Sequence, residues 1–86
     1  MKDVLQINEY GNKRWYLHGK KHREDGPAVE FANGDKMWYL HDLYHREDGP
    51  AVEFVNGDKE WYLHGEQCTE DEFILKTSKF WQKVSL

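Results

Sequence analysis

The chain has 86 residues with a formal net charge of −4, which indicates one small domain with an acidic surface. That balance excludes general nucleic-acid binding, which needs clustered lysine and arginine to displace counterions from phosphates. Its single cysteine excludes an internal disulfide, and no apolar run is long enough for a signal sequence or a membrane span. We therefore expect a cytoplasmic protein that makes no direct contact with nucleic acid.

Short stretches of β-type sequence separated by turn residues follow one another along most of the chain. Predicted strands cover residues 4–10, 13–18, 28–32, 36–41, 51–55 and 59–64. Tight hairpin turns are expected at Gly11-Asn12, Asn33-Gly34 and Asn56-Gly57, because these residues tolerate positive φ. Gly26-Pro27 prevents a helix from starting in the loop at residues 22–27.

These elements belong to an internal repeat. Residues 22–41 recur at residues 45–64, 23 positions later, with only two of twenty residues changed, and Trp-Tyr-Leu begins at 15, 38 and 61. A fixed period of this length is typical of stacked units that cannot bury their apolar side alone. We predict a mainly β protein, a single antiparallel meander sheet of about six strands built from 23-residue hairpin repeats.

The period stops at Cys68, where a helix is predicted. Thr69-Glu70-Asp71-Glu72 has the spacing of a capping box. Apolar positions then follow at helical spacing, namely Phe73, Ile74, Thr77, Phe80, Trp81 and Val84. We expect one C-terminal α-helix over residues 70–84 that covers the sheet. The single domain, residues 1–86, thus divides into an N-terminal strand and turn (1–12), the repeats (13–65) and the capping helix (69–86).

Alternation along each strand sorts the side chains onto two faces. Within Trp-Tyr-Leu-His, the Trp and Leu share one face while the Tyr and His share the other. The predicted core contains Trp15, Trp38, Trp61, Leu17, Leu40, Leu63, Val29, Phe31, Val52 and Phe54. The opposite face, a predicted recognition surface, contains Tyr16, Tyr39, Tyr62, His18, His41, His64, Glu30 and Glu53. Exposed tyrosine is enriched at binding surfaces, although such cross-strand pairs can also serve stability alone.

Residues 15–28, Trp-Tyr-Leu-His-Gly-Lys-Lys-His-Arg-Glu-Asp-Gly-Pro-Ala, resemble a MORN-type repeat. The nearest likeness is the His-Arg-Glu-Asp-Gly-Pro-Ala variant of short proteins from tailed phages and bacteria, and it covers residues 13–65. This resemblance implies a meandering antiparallel sheet used for protein scaffolding or lipid contact, without shared catalytic residues. Two positions depart from the pattern: Asp42-Leu43-Tyr44 replaces the Gly-Lys turn, and Cys68 replaces the repeated histidine.

Two patterns could carry chemistry. His18 with His22, His41 with His45, and His64 with Cys68 stand four apart, as metal ligands do on a helix, but here the spacing crosses a turn in every unit and indicates packing. The loop residues Arg23, Glu24, Asp25, Arg46, Glu47 and Asp48 form two equivalent exposed loops rather than one catalytic pocket. We expect each arginine to stack on the neighbouring tryptophan, and we keep the loops as further partner-binding candidates. No catalytic residue, metal or cofactor is expected.

The sequence therefore predicts a non-enzymatic protein-binding module. The resemblance to small phage proteins implies a bacterial host protein as partner, such as an antiviral (CRISPR-type) defence complex that is occluded in the host cytoplasm. A sheet that sequesters a nucleotide or lipid headgroup is the second hypothesis, and a hydrolase using His and Asp from the loops is the third. An uncovered first strand or the C-terminal helix leaves homodimerisation open.

Overall fold

The computed structural model describes residues 4–77, and within them ten β-strands precede one α-helix. The strands are β1 (Val4–Ile7), β2 (Lys13–Leu17), β3 (Lys20–Lys21), β4 (Val29–Glu30), β5 (Lys36–Met37), β6 (Tyr39–Leu40), β7 (Leu43–Tyr44), β8 (Val52–Glu53), β9 (Lys59–Leu63) and β10 (Glu66–Cys68), and the helix is α1 (Glu70–Thr77). The predicted fold class, a mainly β antiparallel meander with a C-terminal helix, is confirmed.

The main sheet has the order β1-β2-β4-β5-β8-β9-β10, with β3 beside β2, and β6 pairs with β7. Every one of these pairings is antiparallel. There are more and shorter strands than the predicted six. The strand expected over residues 36–41 is interrupted at Trp38, and the residues after each histidine turn form a short return strand that the sequence interpretation missed.

The turns that contain Asn and Gly are three-residue hairpin loops. In the second of them Gly34 donates its N–H to the Phe31 carbonyl and has a φ of 106°, and Gly57 repeats this with a φ of 100°. A left-handed glycine after a tight turn is the usual form of such loops. Adjacent loops are tied together, because Asn12 Oδ1 accepts the Ala32 N–H at 2.8 Å and Asp35 Oδ1 accepts the Val55 N–H at 2.8 Å.

The histidines that follow Trp-Tyr-Leu are turn residues, whereas the sequence interpretation placed them at the ends of strands. The φ values are 54° and 79° at His18-Gly19, 50° and 69° at His41-Asp42, and 52° and 83° at His64-Gly65. Two successive positive φ angles identify a type I′ hairpin, whose twist matches that of the flanking strands. His18, His41 and His64 therefore connect strands and do not form a column on a sheet face.

The predicted assignment of the two faces is wrong, because the core lies on the tyrosine side of the sheet. Tyr39 is only 9% exposed and packs with the buried Ala28 and Val29. Val29 lies opposite Met37, two residues before Tyr39, so these side chains share one side. The predicted burial of Val29 and Val52 is confirmed, but the indoles, leucines, Phe31 and Phe54 are half-buried.

The error is one of register between strands. The predicted alternation within Trp-Tyr-Leu is correct, but the prediction places Val29 on the tryptophan side, whereas it pairs with Arg14 and Met37. A shift of one residue in the pairing exchanges the two faces of a strand completely. For the same reason Glu30 and Glu53, expected beside the tyrosines, lie on the tryptophan side, where each bonds an arginine that stacks on an indole.

The capping box predicted at the helix start is confirmed. Thr69 N–H donates to Glu72 Oε1 at 2.9 Å, and Glu72 N–H donates to Thr69 Oγ1 at 3.1 Å. α1 packs against β9 and β10 and buries Phe73, but Ile74 is exposed rather than part of the apolar stripe. The predicted helical residues 78–84, including Phe80, Trp81 and Val84, lie outside the described residues.

Candidate partner-binding surfaces

Buried histidines join neighbouring repeats. His22 Nδ1 accepts the backbone N–H of His41 at 3.0 Å, and His45 Nδ1 accepts that of His64 at 2.9 Å. The paired rings also contact each other at tilts of 43° and 40°, with centroids 4.3 Å apart in both joints. This geometry accounts for the repeated histidine spacing without a metal. Within residues 4–77, no group of three or more His, Cys, Asp or Glu side chains is placed to hold a metal ion.

Hydrogen bonding determines the tautomer of these histidines. Because Nδ1 accepts a backbone N–H, the ring proton must lie on Nε2. Nε2 then donates to the Glu24 carboxylate at 3.2 Å in the first joint and to the Glu47 carboxylate at 2.9 Å in the second. Both nitrogens of each ring are thus occupied, and each joint positions one of the loop glutamates that the sequence singled out.

Tyr39, Tyr44 and Tyr62 form a column on the core side, in which neighbouring rings contact each other at tilts of 30° and 35°. Ring centroids are 4.6 Å apart for Tyr39 and Tyr44 and 4.7 Å apart for Tyr44 and Tyr62, and the Lys21 ammonium lies 4.5 Å from the Tyr39 centroid. Burial raises the pKa of Tyr44 to about 12, and a hydrogen bond and a charge interaction with Tyr39 contribute less. Burial and the nearby Glu60 also raise the pKa of Tyr62.

This column differs from the predicted recognition surface. Tyr39 is buried, and Tyr16 and Tyr62 are half-buried, so little of their ring area is available to a partner. The sequence interpretation noticed Tyr44 only as a departure from the repeat, although it is the ring that bridges Tyr39 and Tyr62. Tyr44 is the second residue after the turn at His41-Asp42 and therefore pairs with Tyr39, and this spacing was the signal that could have revealed the ring contact.

Arginines cover the tryptophans on the other side, as predicted. The guanidinium carbons of Arg23 and Arg46 lie 3.9 and 3.8 Å from the ring centroids of Trp15 and Trp38. Cation–π contacts of this kind stabilise by about 0.5–2 kcal/mol, according to exposure. A Cβ added to Gly49 would lie 2.8 Å from the Arg46 guanidinium carbon, so the glycine makes room for this side chain.

Hydrogen bonds hold the same arginines inside their own loops. Arg46 donates to Asp48 at 2.8 Å, to the Pro50 carbonyl at 3.0 Å and to Glu53 at 2.8 Å. Arg23 makes the equivalent three contacts at 3.0, 3.1 and 3.2 Å. The bond from Arg46 lowers the pKa of Asp48. Each loop is therefore a fixed structure, and its guanidinium charge is already shared between two carboxylates.

The two loops line one groove, which the sequence interpretation missed because it treated them as separate. The groove has a volume of about 600 Å³, a floor of Trp38 and Leu40, and walls of residues 23–26 and 45–48. Its rim carries the side chains of Glu24, Asp25, Glu47 and Asp48, which are between 73% and 87% exposed. The structure thus brings all six predicted loop candidates together.

Within residues 4–77, the first strand lies at an edge of the sheet that no other described strand covers. β1 is the terminal strand, and Val4, Leu5 and Ile7 are all exposed along it. An uncovered apolar edge is suited to pairing with another strand. Dimerisation through this edge stays a prediction.

The structure contains no helix in residues 4–77 that is long and apolar enough to cross a membrane. Searches against protein-family models, curated proteins and solved structures give no match to this chain. Its function is therefore inferred from the geometry of the two faces and of the groove.

Proposed function

We propose that this chain is a non-enzymatic protein-binding module that turns its acidic loop side toward a basic surface of a partner protein. The observation that carries the proposal is the groove rim, where four exposed carboxylates surround two arginines that are already paired within the chain. Complementary charge of this kind speeds association and favours basic partners over acidic ones.

The described contacts favour binding over catalysis. A histidine that acts as a general base needs a ring nitrogen that is free to accept a substrate proton. In His22 and His45, Nδ1 accepts a backbone N–H and Nε2 donates to a glutamate, so both nitrogens are committed to the fold. The hydrolase hypothesis has no comparable support.

Capture of a nucleotide or lipid headgroup is also less well supported than protein binding. A base would need an aromatic face on which to stack, and Arg46 already lies over Trp38, the aromatic residue of the groove floor. The rim carboxylates would in addition repel the phosphate group of either ligand. A thermal shift with added nucleotides would reverse this ranking.

The proposed partner is a bacterial host protein whose basic surface normally holds nucleic acid, such as a CRISPR-type defence complex. Two considerations support this class: the resemblance of the repeat to short phage proteins, and an acidic rim that competes for the same positive surface as a phosphate backbone. Occlusion of that surface would inactivate the partner without any chemistry. The MORN-like assignment itself is part of this proposal.

Reconstitution with a purified partner tests the proposal. Proteins captured from bacterial lysate on the immobilised chain are identified, purified and mixed with it, and the mass of the complex is measured by light scattering after size exclusion. We expect a defined complex that weakens as salt is raised and that added DNA or RNA disperses. If no purified candidate forms a complex, the proposed function is wrong.

A further inference from the structure

The groove between the two repeat loops has a chemistry that specifies its occupant. We propose that it receives an extended peptide segment of the partner with basic side chains at alternate positions, one for each loop. This inference rests on the proposed function and names the chemistry by which that partner is recognised.

The rim carboxylates are held in place before any ligand arrives. Glu47 accepts from His45 through Oε2 and Asp48 accepts from Arg46 through Oδ1, and Glu24 and Asp25 repeat both contacts. Each of these side-chain contacts uses one oxygen of its carboxylate, so the other oxygen can accept a hydrogen bond from a ligand. Each loop therefore presents preorganised acceptors, which lowers the entropy cost of binding.

Charge at the rim selects a cation. The positive charge of each guanidinium is shared between a rim aspartate and a strand glutamate, which are Asp48 and Glu53 in the second loop. On the strands, Glu53 pairs with Lys36 and Lys59, and Glu30 pairs with Lys13 and Lys36, so lysine charge offsets these two glutamates. The exposed Glu24 and Glu47, by contrast, are bonded only to the neutral tautomers of buried histidines. Negative charge therefore prevails at the solvent side of the groove.

The repeat sets the spacing of the two acidic walls. Equivalent positions in consecutive units are two strands apart in the sheet order, which corresponds to about 10 Å. In an extended peptide, alternate side chains project from the same face about 7 Å apart, and long arginine or lysine side chains span the remaining distance. The intervening residue would face away from the half-buried floor at Trp38 and Leu40.

Arginine suits these walls better than lysine. Its planar guanidinium donates two parallel hydrogen bonds to a carboxylate, and it packs on apolar surface more readily than a strongly hydrated ammonium. A peptide with alternating arginines is therefore expected to bind more tightly than its lysine counterpart.

The test uses a fluorescein-labelled peptide in which arginine and alanine alternate, with fluorescence anisotropy at low salt as the measurement. The variant Glu24→Gln with Glu47→Gln removes one charge from each loop, and each amide oxygen still accepts the histidine N–H. Glu9→Gln with Glu66→Gln removes the same charge from exposed sites elsewhere. We expect the groove variant to lose at least about threefold in affinity and the control variant less than about twofold.

Mapping of amide chemical shifts locates the peptide. Expected perturbations are confined to residues 23–26, 38–40 and 45–48. Equal losses in the two double variants, perturbations centred on Tyr16 and Tyr62, or no peptide binding would each overturn the groove proposal.

The proposed function and the groove inference can fail separately. If a reconstituted partner binds the groove variant as tightly as the unmodified chain, the groove inference is wrong, whereas protein binding as such stands. If the peptide maps to the groove but no protein partner can be reconstituted, the function is wrong and the groove chemistry stands.

Discussion

The position of the joint histidine differs between the two complete repeats, at residues 22–41 and 45–64, and the third unit, which begins at Trp61. His22 and His45 make nearly identical joints, whereas Cys68 occupies the equivalent position of the third unit. The Glu-Asp pair after it is retained as Glu70-Asp71, yet there it begins α1 instead of forming a loop. An acidic pair in this chain is thus compatible with either structure.

Its neighbours decide between the two conformations. Pro50 blocks a helix in the second unit, and Arg46 bonds the loop to Trp38 and Glu53. In the third unit Thr69 takes the place of that arginine and Phe73 takes the place of the proline. Without the block, Thr69 caps a helix whose first turn is stabilised by the acidic side chains.

Removal of a joint histidine should have the largest effect. His45→Ala deletes a buried ring and leaves the His64 N–H without its acceptor, so we expect a loss of about 3 kcal/mol in the free energy of unfolding. Urea denaturation measures it. The control His18→Asn keeps a residue that tolerates positive φ in an exposed turn and should cost less than about 0.5 kcal/mol. Equal losses would refute the special role of the joint.

A conservative change in the loop should have an intermediate effect. Arg46→Lys preserves the charge but cannot reproduce the stacking on Trp38 together with bonds to Asp48 and Glu53. We expect a loss of about 1–2 kcal/mol, measured by thermal unfolding followed by circular dichroism. The loop interpretation fails if stability does not change.

Loss of the helix cap should have a smaller effect. Thr69→Ala removes the side-chain acceptor of the Glu72 N–H and should cost about 1 kcal/mol, with a decrease in helical circular dichroism. The variants Thr69→Ser and Thr69→Asp should keep the helicity of the unmodified chain, because serine and aspartate both cap helices well. If the helical circular dichroism of Thr69→Ala equals that of the unmodified chain, packing of Phe73 rather than the cap maintains the helix.

Ionisation of Tyr44, which occupies the position of Lys21 one repeat earlier, should leave the free energy of unfolding unchanged near neutral pH. Its phenol has a pKa of about 12 in the folded chain, above its ordinary value near 10. The unfolded phenol therefore loses its proton first, so its contribution to stability is complete below pH 10 and disappears as the pH rises through 12. Urea unfolding across this window should show the decline, and Tyr44→Phe should flatten it.

Local patterns in the sequence were sufficient to predict the repeat, the antiparallel hairpins, the capping box and the stacking of arginine on tryptophan. Each of these features depends on residues that are close together in the chain. Alternation likewise separated tryptophan from tyrosine correctly. Only the tertiary structure decided that the tyrosine side is the core, since this depends on the register of Val29 against its neighbours. The histidine joints and the shared groove were decided there too, because both are made between residues of different units that become neighbours only when the repeats pack side by side.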